Sequence, residues 1–177
     1  MPHIHTQPGH HDQSVTAYIV RIDTPEPQVL VHMHRKQNVL LPVGGHIELH
    51  ETPWQAMAHE LQEESGYRLE DARILQPAER ISSLEDVVLH PYPLSMNTHP
   101  IGDDHFHSDI SYGFVVSGDP KETAVDGESL DFRWLNYDQL MALDASEIFS
   151  NTRQVYDFLL NTALKSWIPV STDQFSH

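Results

Sequence analysis

Glu60, Glu63 and Glu64 stand at i, i+3 and i+4 in a segment with helical spacing. On a wheel of 3.6 residues per turn they share one side, while Trp54, Met57, Ala58, Leu61 and Ser65 share the other. Carboxylates so placed repel one another, and Ala56 on their side adds no counter-charge, so cations or solvent must screen them. Oxygen-only donors suit hard divalent cations, Mg2+ or Mn2+, which keep several waters and bridge to phosphate oxygens. A solvated acidic helix face is the plainer alternative. The residues outside the helix separate the two.

Reading outward, Gly45 is followed by five residues and Glu51, then by seven residues and His59-Glu60-Leu61-Gln62-Glu63-Glu64-Ser65-Gly66-Tyr67. This resembles the box of the Nudix (MutT-like) hydrolase superfamily, Gly-x5-Glu-x7-Arg-Glu-U-x-Glu-Glu-x-Gly-U, where U is aliphatic or aromatic. Every defining position matches except the Arg, which is His59. The resemblance implies an α/β/α sandwich with a mixed β-sheet flanked by helices. It also implies metal-dependent hydrolysis of a diphosphate linkage in a nucleoside diphosphate joined to another moiety, with water attacking phosphorus. By the same resemblance Glu60, Glu63, Glu64 and the carbonyl of Gly44 are metal ligands. Gly45 and Gly66 would shape the loop and helix end, and Glu51 would brace the loop, although an acid there also suits a helix N-terminus.

Family members often supply one more carboxylate from the loop before the last core strand. Glu128 is the candidate for that catalytic role, with Glu122, Asp126 and Asp131 as rivals; a plain loop acid is the alternative. His59 departs from the family's permanently charged, forked Arg, and an imidazole one turn before Glu63 is a partial, pH-dependent substitute. Otherwise it simply faces solvent.

Further histidines sit on strand-like segments. Alternation from His105 to Val116 sets His105, His107, Asp109 and Ser111 on one face and Phe106, Ile110, Tyr112, Phe114 and Val116 on the other. The His-x-His-x-Asp row could bind a transition metal, contact substrate phosphate or line a wet cleft. His32 and His34 form a similar pair before the box, where substrate contact is the expectation. Tyr92, Trp134 and Tyr137 are core aromatics or stacking surfaces for a base.

These groups require elements to hold them. Thr52 can cap a helix that has Pro53 at its first position, Gln55 completing a capping box and Gly66 ending it. Strands are expected over 14–21 and 28–34, joined by the turn-like Thr24-Pro-Glu-Pro27, then over Val39–Leu41. More follow over Ala72–Gln76, Asp86–His90, Phe106–Ser117 and Asp131–Leu135. A short helix should run from Tyr137 to Leu143 and a longer one from Thr152 to Lys165. Strands mixed with two long helices make an α/β layer architecture. The chain divides into a His-rich arm over 1–13, with His3, His5, His10 and His11, one domain over 14–167 and a tail over 168–177.

Composition bounds the function. A chain of 177 residues with 39% hydrophobic and 20% charged residues fits one soluble domain. A net charge of −16 without a basic cluster argues against polymer nucleic acid and anionic membranes as partners. No apolar run or leader-like start is seen, so the reading is cytoplasmic. With no cysteine, any metal sits on oxygen or imidazole, and a cysteine-dependent isoprenoid diphosphate isomerase is disfavoured. The expected partner is a small nucleotide, with a homodimer by analogy. A nucleotide-sensing domain with little turnover and a His-rich metal-binding protein are the alternatives.

Overall fold

The computed structural model describes Ile4 and residues 7–102, 105–124 and 129–175. A mixed sheet is built from β1 (His11–Arg21), β2 (Gln28–His34), β3 (Val39–Leu41), β4 (Val43–His46), β5 (Ala72–Gln76), β6 (Ser95–Ile101), β7 (His105–Val116), β8 (Ser129–Leu135) and β9 (Ile168–Ser171). Its main path runs β3-β2-β1-β7-β5-β9, with β4 on β1, β6 on β7 and β8 on β2. The centre is a parallel pair: β1 and β7 run in register from His11↔Phe106 to Arg21↔Val116. On its other edge β1 meets β2 at Val20–Arg21 and β4 at Ser14–Ala17, so the sheet forks there. The edge of β7 divides similarly between β5 and β6. Side chains line the mouths of both forks.

Alternation along β1 feeds two cores. Val15, Ala17 and Ile19 pack under α1 (Pro53–Ser65) with Met57 and Leu61, whereas Tyr18 and Val20 join Tyr156, Leu159 and Ala163 on the opposite face. The second layer comprises α2 (Tyr137–Ala142) and α3 (Ser150–Phe158), continued by a π-helical turn over Leu159–Ala163 and a last turn over Leu164–Ser166. The widened turn buries Leu159, Leu160 and Ala163. A Cβ on Gly113 would lie 3.2 Å from Leu159 Cδ1, so a glycine on β7 lets this helix approach closely. Sheet and helices thus form the expected three layers. Among the described residues no helix is long and apolar enough to cross a membrane.

α1 carries the expected punctuation. The Thr52 side chain accepts from Gln55 N–H, Gln55 reaches back to the Thr52 N–H, and Gly66 closes the helix at φ 76°. Other expectations change. The Asp86–His90 segment is a loop, in which Val87 and Val88 are exposed and Asp86 has φ 60°. β4, β6 and β9 are strands beyond those expected. β9 pairs with β5, and Phe175 packs on Trp54 with ring centroids 5.8 Å apart, so much of the supposed tail is structural. The supposed arm likewise gives up His11–Gln13 to β1.

Candidate active site

Glu60 and Glu64 do not lie on an exposed helix face. Both are buried, at 3% and 4% exposure, together with Ala56, while Ala58 is only half-buried; the two-sided wheel is therefore corrected. The reason lies in the sheet, where Gly44 and Gly45 of β4 leave room for carboxylates beneath α1. A Cβ on Gly45 would fall 2.3 Å from Glu60 Oε1, and Gly44 N–H donates to Glu64 Oε2 at 2.9 Å. His32 Nε2 lies 3.9 Å from the same Glu64 oxygen and 3.2 Å from the Pro42 carbonyl. Taking carboxylates out of water is costly unless charge or hydrogen bonds compensate.

Glu63 stays at the surface and meets His59 Nε2 at 3.0 Å, one turn back. The other ring nitrogen of His59 is 3.5 Å from Glu51 Oε1, and Glu51 Oε2 accepts from Glu48 N–H at 3.3 Å. The imidazole therefore lies between two carboxylates of the loop and helix, with one nitrogen toward each.

A cleft of about 700 Å3, a size ordinary for a small-molecule site, opens beside Glu60 and Glu64, while Glu63, His59 and Glu51 are not among its lining. Gly44, Gly45, Glu60 and Glu64 form one wall; His32, His34, His107 and Asp109 line others. The His-x-His-x-Asp row divides in its roles. His107 and Asp109 border the cleft, while His105 is withdrawn against Asp12, Nε2 to Oδ2 at 3.0 Å. Asp109 accepts hydroxyl hydrogen bonds from Thr16 at 2.7 Å, Ser14 at 3.0 Å and Ser111 at 2.6 Å, which keep its oxygens engaged within the wall. Burial, then the nearby Asp109 charge, pushes the Tyr18 phenol well above its ordinary value, so Tyr18 faces the cleft as a neutral hydroxyl.

Several cleft residues carried no signal in the sequence. Lys36 and Gln37 sit at the tip between β2 and β3, Asn97 and His99 come from β6, and Asn151 and Thr152 from α3. Only pairing of distant strands gathers them. A second cavity of about 480 Å3 shares Tyr18, Asn97, His99 and Asn151 with the first.

Among the described residues, no acid proposed as the additional catalytic carboxylate outside the helix lines the cleft. Glu128 and Asp126 fall outside the described residues. Glu122 receives Gln62 Nε2 at 2.8 Å and pairs with Arg68 at the far end of α1, and Asp131 pairs with Arg133. Tyr92 holds the Gln76 side chain through its backbone, and Trp134 packs against the core under α1. Tyr137 donates to Asp157 at 2.9 Å on the exterior.

The NUDIX domain family matches residues 12–156, and the chain belongs to that family of hydrolases. A NUDIX-family hydrolase from Clostridium perfringens is 25% identical, with a TM-score of 0.69 over 85% of this chain and 96% of that one. A C. elegans Ap4A hydrolase in a binary complex is 15% identical, with a TM-score of 0.61 over 85% and 98%. The E. coli dihydroneopterin triphosphate pyrophosphohydrolase is 19% identical, with a TM-score of 0.57 over 85% and 96%. No curated protein sequence matches the chain significantly.

Proposed function

We propose that this hydrolase cleaves a diphosphate linkage in a nucleoside diphosphate joined to a second moiety, using Mg2+ or Mn2+ held by α1. The observation that carries the reading is the pair of buried carboxylates, Glu60 and Glu64, bordering a cleft under a Gly-Gly backbone that a side chain would block. Their all-oxygen donor set fits a hard cation, with Glu63 and the Gly44 carbonyl as further donors by family resemblance. When bound, such an ion polarises phosphate oxygens and lowers the pKa of attacking water.

The chain's own groups do the rest. Gly44 N–H fixes the Glu64 carboxylate, while His59 and Glu51 position Glu63. His34 and Lys36 offer N–H donors to phosphate oxygens, with His32 and His99 beside them, in the cleft of a chain whose net charge is −16. The adjoining cavity gives the second moiety room beside the first. Neighbours named for Ap4A and dihydroneopterin triphosphate hydrolysis support a polyphosphate substrate. Family resemblance extends the proposal to a cytoplasmic homodimer, whose assembly analytical ultracentrifugation checks.

The test is incubation with Mg2+ or Mn2+ and ADP-ribose, diadenosine polyphosphates, NADH, CoA or nucleoside triphosphates. Mononucleotide or phosphate release that disappears in Glu63→Gln and Glu60→Gln is the expected result. Nucleotide binding without turnover under every metal condition would replace hydrolysis with sensing.

A further inference from the structure

Next to the acidic wall, three neighbouring strands bring nitrogen donors together. Asp12 and His107 are direct partners across the β1–β7 ladder, and His105 is two residues before His107, on the same face. Ser14, two residues after Asp12, is opposite His46 across the β1–β4 ladder, so pleat parity turns all four side chains to one side. Asp12, His46 and His105 are buried, and His107 is half-buried at the cleft.

The distances resemble the edges of one coordination polyhedron. His105 Nε2 lies 3.0 Å and His46 Nε2 3.8 Å from Asp12 Oδ2, and His46 Nε2 lies 3.1 Å from His107 Nε2. One ligand atom from each of Asp12, His105 and His107 falls within 4.8 Å of the others. A tetrahedral ion with bonds of about 2.0–2.1 Å separates its ligands by about 3.3 Å. The three shortest separations bracket that value; Asp12, His105 and His107 form the mutual cluster, and His46 joins it from the side of Asp12 and His107.

We infer that Asp12, His46, His105 and His107 form a binding site for a borderline divalent cation of the Zn2+ class, separate from the all-oxygen site of α1. Three imidazoles and one carboxylate favour Zn2+ over Mg2+, which prefers oxygen and water. Four protein donors close the coordination sphere, the pattern of a structural ion. Such an ion ties the starts of β1 and β7 to the end of β4, so it would brace His46 and, through it, the adjoining Gly44-Gly45. The contacts among these groups include an Asp12–His105 hydrogen bond and a close His46–His107 pair, and Ile4 N–H also donates to Asp12 at 3.1 Å.

The test uses the full chain, stripped with chelator and titrated with Co2+ in excess Mg2+, which keeps the oxygen site occupied. The expected result is about one equivalent of Co2+ with the intense visible bands of tetrahedral coordination, displaced by Zn2+ and accompanied by a higher Tm. His107→Asn and His46→Asn should each weaken Co2+ binding more than about 10-fold, with circular dichroism unchanged in chelator. Glu63→Gln and a His3→Ala, His5→Ala, His10→Ala variant should retain the bands. Absence of tetrahedral bands, their persistence in both asparagine variants, or their loss with the arm histidines would overturn the site. If an asparagine variant does not fold, loss of the bands in Asp12→Asn and a Zn2+-induced Tm rise confined to wild type decide the matter; failure of both overturns it.

Discussion

Gly45→Ala isolates the contact between the sheet and α1. The added Cβ would lie 2.3 Å from Glu60 Oε1, 2.5 Å from Cδ and 2.7 Å from Oε2, so the whole carboxyl group must retreat rather than rotate. Moving the nearest oxygen from 2.3 Å to an ordinary 3.4 Å contact displaces it by about an ångström. Metal sites tolerate about 0.2 Å, and an ångström of misplacement costs on the order of 100-fold in rate. The expected loss in kcat/KM is therefore about 100-fold, or about 2.7 kcal/mol of transition-state stabilisation, with a raised Mg2+ requirement. Crowding the buried side chain should also cost about 1–3 kcal/mol of stability. Gly44→Ala is the contrast: its Cβ would meet the Val15 carbonyl oxygen at 2.2 Å, so the β1–β4 ladder itself must open. Steady-state rates over a Mg2+ series, with Tm measured in parallel, distinguish ligand displacement from unfolding. In a Glu60→Ala background, which removes the carboxyl group the Cβ would meet, Gly45→Ala should lower Tm far less than it does alone. Full additivity, or an unchanged Mg2+ dependence in Gly45→Ala, would refute the reasoning.

His59 lies between Glu51 and Glu63, so His59→Ala should lower kcat/KM and His59→Arg, which restores the forked donor of the family box, should recover it; equal rates in wild type and His59→Ala would count against this role. Tyr156→Phe removes the buried hydroxyl that donates to the Leu30 carbonyl, and should cost about 1–2 kcal/mol, seen as a Tm fall of about 2–8 °C in a thermal melt. The Arg68 guanidinium, and then the Gln62 amide, holds the Glu122 carboxyl below its ordinary 4.5. Its contribution to stability is therefore present above pH 4.5 and lost as pH falls through the lower folded value. The Tm gap between wild type and Glu122→Gln should be open near neutrality and close in acid; a gap that widens below that range would contradict the sign.

Local signals were the readable ones. Thr52, Pro53, Gln55 and Gly66 punctuate α1 through contacts within a few residues, so that helix could be drawn before any tertiary structure. The buried Glu60 and Glu64 could not, because a helical wheel sends acids to water and knows nothing of the glycine pair opposite. β6 reads Ser95-Met-Asn-Thr-His-Pro-Ile, polar and containing Pro100; it is a strand because the β7 edge offers it partners. Val87, Val88 and Leu89 have strand-forming character but no ladder among the described residues, and they remain a loop. About a third of the cleft lining was named from sequence: His32, His34, Gly44, Gly45, Glu60, Glu64, His107 and Asp109. The remainder, from Lys36 to Thr152, depends on which distant strands and helices meet.

The parallel β1–β7 pair also sets a schedule for the newborn chain. Residues joined across it are separated by as many as 95 positions, as His11 and Phe106 are, so the first strand has no central partner until most of the chain exists. At about 5–20 residues per second, that delay lasts about 5–20 s on the ribosome. Through this interval Val15, Ala17, Ile19 and Val20, all fully buried at the end, have only the early β2–β4 segments to shelter them. Formation of the central ladder is then a late, high-contact-order event, and chaperone demand should concentrate on chains paused before residue 105.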